Sequence, residues 1–356
     1  MDIHRSRFVP YPPSAINALA FSYTEDRDVG KKEPTDLRLA VGRANGDIEL
    51  WNPARGAWVH ETTFRGGKDR SVEGLAWVQE PDEVDVGGNV SIGQLRLFSI
   101  GYSSTVTEWD LASGLPIRHS GGNHSEVWCL AAQPRWRAPK NKGEKDDKQA
   151  NHTVGDGVFR GQNLVAGCAD GTLVLLSTAD NDLRFQKFLS RPTAKKARVL
   201  SVAWQTRNVV VAGFADSTIR VFDTRNATLL RNITLGAAPA GGPRDILVWA
   251  VKCLPNGDIV SGDSAGEVRF YDGKTFSQLQ RISGHEADIL DLVTSADGQT
   301  VYSSGMDRRT VVYKLKAGAQ KAKWARVSHN RYHDHDVKAM TTYESRKMSV
   351  IVSGGI

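Results

Sequence analysis

The chain is poor in cysteine and has no long apolar segment. Cys129, Cys168 and Cys253 are the only cysteines among 356 residues, and each lies in a separate apolar stretch. We therefore expect reduced, buried thiols rather than a disulfide framework, as in proteins of the cytosol or nucleus. No apolar run reaches the length of a membrane span, and the first residues lack the apolar region of a secretory signal. The net charge of +6 is mildly basic, which is compatible with RNA or acidic partners without identifying either.

One β-hairpin pattern recurs along the chain. In one copy, a strand over residues 210–212 ends at Gly213, Asp216 and Ser217 turn the chain, and residues 218–222 alternate on the return. Further copies begin near residues 40, 99, 165, 260 and 303, and a seventh begins at residue 350. The glycines that end the first strand of the six complete copies are Gly42, Gly101, Gly167, Gly213, Gly262 and Gly305. Their spacing of roughly 45–65 residues is close to the period of a four-stranded propeller blade.

The repeats resemble those of the WD40 family. The Trp-Asp signature is present at residues 109–110, and the Gly-His pair that opens a repeat is present at residues 284–285. We interpret His124 and His335 as counterparts of that histidine in other repeats. The resemblance implies an all-β fold: a WD40-type β-propeller with seven blades of four antiparallel strands.

We interpret residues 1–356 as a single propeller whose last blade is truncated. Residues 3–9 are predicted to supply a strand that closes this last blade, because closure of the ring removes exposed sheet edges. The predicted blades span residues 15–64, 71–119, 126–189, 199–235, 246–282 and 287–327, with the incomplete seventh starting at Val337.

Three insertions fall between the first and second strands of their blades, at residues 24–36, 79–94 and 134–162. Loops at this point of a blade all open on one face of a propeller. Within the third insertion, residues 137–160 are polar and low in apolar content, so we expect a disordered loop. It is either a tolerated surface insertion or an arm that docks a partner.

The opposite face is predicted to collect basic residues from different repeats. It contains the turns between second and third strands and the segments that link blades, and acidic residues on these loops are expected to be fewer. Such a surface binds phosphate backbones through counterion release, or it is a solvated surface that maintains solubility. The candidate RNA-binding residues are Arg43, Arg65, Lys68, Arg70, Lys195, Lys196, Arg198, Arg308 and Arg309.

Two patterns that suggest catalysis or metal binding are better explained by the repeat. Residues 262–266 match the G-x-S-x-G motif around Ser264, but that motif requires a strand, a turn and a helix, whereas the repeat places strands on both sides. Histidines and aspartates cluster at residues 329–336, but no matching ligand pair occurs elsewhere. We therefore expect no catalytic residue, no metal, no cofactor and no small-molecule substrate.

Polar residues at fixed repeat positions form a second set of candidates. In WD40 repeats the matching positions form a structural hydrogen-bond network, in which a histidine binds the aspartate of the turn while a serine and an aromatic residue complete it. The residues assigned to this network are His285, Ser303, Asp307, Tyr313, Asp216, Asp170, Trp51 and Trp109.

The first third of the chain carries a more specific resemblance. Residues 4–22, 39–53, 71–77 and 96–116 together resemble the cirhin family, nucleolar WD40 proteins of the small-subunit processome. The resemblance implies the N-terminal propeller of a longer two-propeller protein in the nucleolus. It also implies a non-enzymatic scaffold of the early processome subcomplex on the pre-rRNA leader, needed for small-subunit rRNA processing. Its implied partners are other WD40 proteins of that subcomplex and pre-rRNA, with no membrane.

A second function remains open from the sequence. Many WD40 proteins act as protein-only adaptors, for example as substrate receptors of ubiquitin ligases or as signalling scaffolds. An adaptor does not need a basic face, so reversing the charge of that face distinguishes the two functions.

Overall fold

The computed structural model describes most of the chain, with gaps mainly at its beginning and in loops. The described residues are 14–23, 37–53, 57–66, 70–81, 83–84, 90–91, 93–120, 125–136, 159–191, 196–236, 244–317, 322–345 and 348–356. None of the helices formed by these residues is long and apolar enough to cross a membrane.

Apart from one short 3-10 helix at Ala179–Asn181, the described elements are β-strands arranged as successive antiparallel sheets. Six sheets have four strands, and the seventh has two strands among the described residues. Blade one contains β1 (Ile16–Phe21), β2 (Leu39–Arg43), β3 (Ile48–Asn52) and β4 (Val59–Phe64). Blade two contains β5 (Gly74–Gln79), β8 (Leu95–Ile100), β9 (Thr107–Trp109) and β10 (Pro116–His119), with the small hairpin β6 (Glu83–Val84) and β7 (Val90–Ser91) inserted.

The remaining blades repeat this order. Blade three contains β11 (Val127–Ala132), β12 (Leu164–Cys168), β13 (Leu173–Ser177) and β14 (Arg184–Ser190). Blade four contains β15 (Val199–Thr206), β16 (Val209–Phe214), β17 (Thr218–Asp223) and β18 (Thr228–Thr234). Blade five contains β19 (Ala250–Cys253), β20 (Ile259–Gly262), β21 (Glu267–Tyr271) and β22 (Gln278–Ser283). Blade six contains β23 (Ile289–Thr294), β24 (Thr300–Gly305), β25 (Thr310–Lys316) and β26 (Lys323–Asn330), and blade seven contains β27 (Val337–Glu344) and β28 (Ser349–Gly355).

The first strand of each blade lies on the inside of a closed ring. These strands contact one another in chain order, and β27 of blade seven packs against β1 of blade one. The ring confirms the predicted seven-bladed WD40-type β-propeller, and the observed sheets agree with the predicted blade ranges. The predicted closing strand at residues 3–9 lies outside the described residues, so its place in the ring stays a prediction.

Apolar residues between neighbouring blades form the core. Phe64 of blade one stacks on Trp109 of blade two with ring centroids 5.9 Å apart. Phe270 of blade five stacks on Trp324 of blade six at 4.4 Å. Because each blade buries its apolar faces against its neighbours, the hydrophobic stabilisation is distributed around the ring.

The hairpin pairing corrects the predicted register of two glycines. In blade four, Gly213 pairs with Ile219, three residues before the aromatic residue of that hairpin. In blade six, the equivalent place opposite Thr310 is held by Ser304, and Gly305 follows one residue later. In blade two the pairing of β8 with β9 puts Gly101 one residue late in the same way. The glycine-to-glycine spacing therefore misaligns blades two and six by one residue, whereas the aromatic positions align them correctly.

The three insertions lie where they were predicted, between the first and second strands of blades one, two and three. Residues 24–36 and 137–158 lie outside the described residues, so the disorder predicted for 137–160 stays a prediction.

Candidate binding face of the propeller

The predicted basic residues lie around one end of the ring, which we call the upper face. This face consists of the turns between second and third strands and the described parts of the segments that link blades. Its turns are residues 44–47, 101–106, 169–172, 215–217, 263–266 and 306–309. Its linkers are residues 65–66, 70–73, 120, 125–126, 191, 196–198, 235–236, 244–249, 284–288 and 331–336.

Four of the predicted residues extend into solvent on this face: Arg70, Lys196, Arg198 and Arg308. Arg65 is also accessible, with 79% of its side chain exposed, although it forms an ion pair with Asp47 at 2.7 Å. These five residues come from three places: the linker between blades one and two, the linker between blades three and four, and the turn of blade six. Lys68 and Lys195 lie outside the described residues.

Two predicted residues, Arg43 and Arg309, are mainly structural. The guanidinium of Arg43 binds both carboxylate oxygens of Glu49, at 2.6 and 3.1 Å, and only 11% of its side chain is exposed. Arg309 is 16% exposed and binds Glu286 at 2.6 Å. Because their charges are already compensated, neither is well placed to neutralise a phosphate.

The prediction of few carboxylates on the upper face is wrong. Acidic side chains lie on most of its turns and linkers, so the face has mixed charge and its free cations form local sectors. The described carboxylates are Asp47, Glu73, Glu126, Asp170, Asp216, Asp245, Asp263, Glu286, Asp288, Asp307, Asp334 and Asp336. Acidic residues recur in these turns because their side chains accept hydrogen bonds from backbone N–H groups there. The turn pattern itself therefore brings carboxylates to this face.

Blade six contains the predicted histidine network. His285 Nδ1 lies 2.8 Å from Asp307 Oδ1, and His285 Nε2 lies 2.6 Å from Ser303 Oγ. Since a carboxylate only accepts, Nδ1 carries the proton and Nε2 accepts from the serine hydroxyl. Backbone N–H groups of Glu286 and Arg309 also donate to the Asp307 carboxylate. The network fastens the linker before blade six to the turn within it.

The network fixes the protonation states of its members. Burial lowers the pKa of His285, although its hydrogen bond to Asp307 acts in the opposite direction. Burial alone would raise the pKa of Asp307, but hydrogen bonds from His285 and from the backbone outweigh it and lower that pKa. A neutral imidazole beside an ionised carboxylate suits a structural role. Tyr313 is fully buried nearby, with its hydroxyl against Gly284 and without a hydrogen bond of good geometry.

Other blades retain only parts of the network. Trp109 Nε1 donates to Ser99 Oγ at 2.8 Å in blade two, whereas Trp51 Nε1 donates to Glu49 at 2.9 Å in blade one. Asp170 accepts from the backbone N–H of its own turn in blade three. Asp216 binds Arg220 at 2.5 Å in blade four. The assigned residues of blades one to four therefore bond to partners within their own hairpins, and those partners differ from blade to blade.

The structure corrects the histidine assigned to blade seven. His333, not His335, binds the serine of its blade, with Nε2 2.8 Å from Ser353 Oγ. His333 precedes the first residue of β27 by four positions, as His285 precedes the first residue of β23. His335 is exposed. Counting back from the inner strand would have identified the correct histidine. The predicted counterpart His124 lies outside the described residues.

Buried charge pairs replace the histidine in blades one and five. Arg269 is 3% exposed and binds the fully buried Asp263 at 2.9 Å. The Arg43–Glu49 pair of blade one occupies the same two positions of the hairpin with the charges exchanged, as the strand pairing shows. In each pair, one residue lies at the end of the second strand of the blade. Its partner lies two positions before the aromatic residue of the repeat. The same two positions of the hairpin are therefore joined in both blades, although the acidic and basic residues are exchanged.

The patterns that suggested catalysis or metal binding have structural explanations here. Ser264 lies in the turn between β20 and β21, and its hydroxyl accepts from the backbone N–H of Leu247 at 2.9 Å. This is a strand–turn–strand element and not the strand–turn–helix element that exposes a nucleophile. In the part of the chain that the structure describes, no three His, Cys, Asp or Glu residues form a group that would hold a metal ion.

Sequence reasoning missed an aromatic and basic cluster on the upper face. The guanidinium of Arg198 lies over the ring of Trp128, with its carbon 3.9 Å from the ring centre. Tyr102 contacts the same tryptophan and is 46% exposed. Burial and the nearby carboxylate of Glu73 raise the pKa of Tyr102 to about 12, so its hydroxyl stays protonated at neutral pH. These residues belong to three different blades or linkers, and no local motif connects them.

Known proteins similar to this chain are named for their association with U3 small nucleolar RNA. The chain is 38% identical over its whole length to U3 small nucleolar RNA-associated protein 4 of Schizosaccharomyces pombe, of which it covers 44%. It is 36% identical over its whole length to the protein of that name in Saccharomyces cerevisiae, covering 42%. It is 26% identical over 99% of its length to the human homolog, covering 44%. The chain therefore spans less than half the length of these relatives.

A family description also matches one repeat of the chain. The WD domain, G-beta repeat, matches residues 276–314, which include the histidine network and most of the first three strands of blade six. The chain is thus a seven-bladed WD40-type β-propeller that is similar, over its whole length, to part of U3 small nucleolar RNA-associated protein 4.

Proposed function

We propose that this propeller is a non-enzymatic scaffold of ribosome biogenesis in the nucleolus. In this proposal it acts in the early small-subunit processome subcomplex on the pre-rRNA leader and is needed for small-subunit rRNA processing. The observation that carries the proposal is its similarity, over its whole length, to part of proteins named U3 small nucleolar RNA-associated protein 4. The resemblance of its first third to cirhin supports the same function and adds other WD40 proteins as partners.

RNA contact is assigned to the upper face. Arg70, Lys196, Arg198 and Arg308 extend into solvent there, and Arg65 is accessible beside Asp47. Exposed cations bind phosphates and release condensed counterions, which gives binding a strong dependence on salt. A propeller is suited to this role because its loops present side chains from every blade while the sheets stay rigid.

The mixed charge of the upper face favours a second function, a protein-only adaptor. Exposed carboxylates such as Glu126, Glu286 and Asp334 lie on the same face as the exposed cations, and surfaces of mixed charge suit protein partners through electrostatic complementarity. The adaptor predicts no measurable contribution of the exposed cations to RNA binding.

Charge reversal distinguishes these functions. We expect the double variant Lys196→Glu, Arg198→Glu to bind single-stranded RNA more weakly than the parent chain. The slope of log affinity against log salt should become shallower by about 1.4, since each lost contact removes about 0.7. The matched control is Arg231→Glu, Lys274→Glu, which reverses the same charge on the outer strand β18 and on a turn of the opposite face. Equal loss of affinity in both variants, or in neither, would contradict assignment of RNA contact to the upper face.

A further inference from the structure

The turn of blade two differs from the other upper-face turns. Tyr102, the second residue after β8, has a φ of +37°. The other five turns place their left-handed residue three or four positions after the glycine of the repeat, at Gly46, Gly171, Ser217, Gly266 and Arg308. Positive φ is strained for a bulky aromatic residue, and such strained residues cluster at binding sites. Here the conformation holds a tyrosine ring in solvent at the edge of blade two.

Tyr102 is supported by a second aromatic ring. Its centroid lies 5.2 Å from that of Trp128, at the start of β11, with the planes inclined by 59°. Trp128 is only partly buried, so the two rings form an aromatic edge at the junction of blades two and three. Aromatic rings held in this way offer contact area at low cost in conformational entropy, because a ring has few rotatable bonds.

Arg198 completes the cluster from the linker before blade four. Its guanidinium covers the face of Trp128 at 3.9 Å from the ring centre, and the residue remains exposed to solvent. Lys196, two residues earlier, is exposed as well. A planar guanidinium that is stacked on one side presents its other side to a planar ligand, while the neighbouring ammonium group is available for a phosphate.

The charges around the cluster favour an anionic, planar ligand. Because Arg198 already occupies the face of Trp128, the cluster does not offer the open aromatic cage that binds a methylated ammonium group. Glu73, on the linker before blade two, accepts a hydrogen bond from the Tyr102 hydroxyl and is also engaged by Lys338 at 2.6 Å and by Asn17 at 2.9 Å. Glu126 is the one other carboxylate that acts on Tyr102, and it is exposed to solvent, where its charge is screened.

We propose that Tyr102 and Arg198, held by Trp128, form a stacking site for a nucleobase of single-stranded RNA, with Lys196 on the adjoining phosphate. This inference rests on the proposed RNA contact of the upper face and assigns it a position. Unpaired bases stack on aromatic rings and guanidinium planes in this way, and stacking tolerates different bases. The site therefore recognises an unpaired nucleotide and not a helical segment.

The test compares variants of the whole chain with a 12-nucleotide oligo(A) RNA and with an abasic ribose-phosphate strand of equal length. The parent chain should prefer oligo(A). Tyr102→Ala should weaken oligo(A) binding roughly 5- to 100-fold, as expected for loss of one base stack, while Tyr102→Phe keeps the ring and should bind almost normally. Arg198→Lys keeps the charge but loses the plane, so affinity should fall while the salt slope is unchanged. The control is Tyr332→Ala, which removes a tyrosine that is 68% exposed on another linker of the same face.

The outcomes test separately the stacking site, its location and the RNA contact of the upper face. Parent binding that survives Tyr102→Ala and Arg198→Lys, or that is equal for oligo(A) and the abasic strand, would refute the stacking site and leave the basic face intact. An equal loss in Tyr332→Ala would refute its location. Failure of the parent chain to bind any RNA at low salt would overturn the proposed RNA contact itself, and a protein partner would then be the occupant of this face. Thermal melting of each variant identifies any loss due to unfolding.

Discussion

Arg96 joins blades two and three through a buried network, and its removal should be among the most destabilising single changes in this chain. Its side chain is 5% exposed, and that of its partner Glu108 is 2% exposed. The guanidinium donates to both carboxylate oxygens of Glu108, at 2.7 and 2.8 Å. It also donates to the backbone carbonyls of Thr178 and Asp182 in blade three, at 2.8 and 2.9 Å. One side chain therefore satisfies acceptors in two blades.

The expected loss of folding stability follows from the groups that Arg96→Met leaves without a partner. Arg96→Met leaves a buried carboxylate without its main partner and two carbonyls without donors. Breaking a buried ion pair on one side costs about 3–5 kcal/mol. The melting temperature should fall by about 4–7 °C for a chain of this size. Replacing both partners by apolar residues, in Arg96→Met, Glu108→Leu, should recover most of that loss, because no unpaired charge remains.

Arg118 provides the matched control. It binds the same Glu108 at 3.1 Å, but 31% of its side chain is exposed. Solvent screens such a pair, so Arg118→Met should cost no more than about 1 kcal/mol. Urea and thermal unfolding of the parent and the variants measure these differences. If Arg96→Met and Arg118→Met have equal effects, or if the double variant is no more stable than Arg96→Met, the network does not hold the two blades together as described.

Three further predictions concern the repeat network and the thiols. Because burial lowers the pKa of His285, the unfolded chain binds more protons as pH falls through the ordinary histidine range near 6.5. Stability should be fully present above that pH and decrease below it, and His285→Gln should show a smaller decrease between pH 7.5 and 5.5 in thermal melts; an unchanged pH profile would contradict this. Gly284→Ala should cost about 1–3 kcal/mol, because a Cβ there would overlap the Tyr313 hydroxyl. Tyr313→Phe should restore part of it in urea titrations, and failure of this rescue would place the overlap elsewhere. Burial raises the pKa of the thiols of Cys129, Cys168 and Cys253. A thiol reagent at pH 8 should therefore label none of them before the chain unfolds. Rapid labelling of any one of the three in the folded chain would contradict this prediction.

The sequence predicts the fold because the hairpin repeat is a local signal. Alternating apolar residues, turn residues and a large apolar residue six positions after the turn recur in blades one to six, and this residue is aromatic except for Leu176 in blade three. Together they specify antiparallel strands that need neighbours to bury their faces. The observed strands of blade four, Val209–Phe214 and Thr218–Asp223, agree with that pattern. The misplaced register of Gly305 shows the limit of the signal, since a glycine permits a turn without fixing its position.

The candidate site was only partly predictable, because its properties depend on residues from different blades. Arg198 and Lys196 could be placed on the upper face from the repeat alone. The stacking of Arg198 on Trp128 and the unusual backbone of Tyr102 could not, since they arise from the junction of three blades. The ion pair that engages Arg309 was equally invisible, because Glu286 lies on a different segment of the blade.

The account depends most directly on whether this propeller contacts the pre-rRNA leader. The decisive measurement is the affinity of the purified chain for leader RNA and for an unrelated structured RNA of equal length, each at low and at physiological salt. The account predicts tighter binding to the leader at both salt concentrations, with a steep decrease in affinity as salt rises. Weak binding without preference between the two RNAs would contradict it and would make the propeller a scaffold for proteins alone.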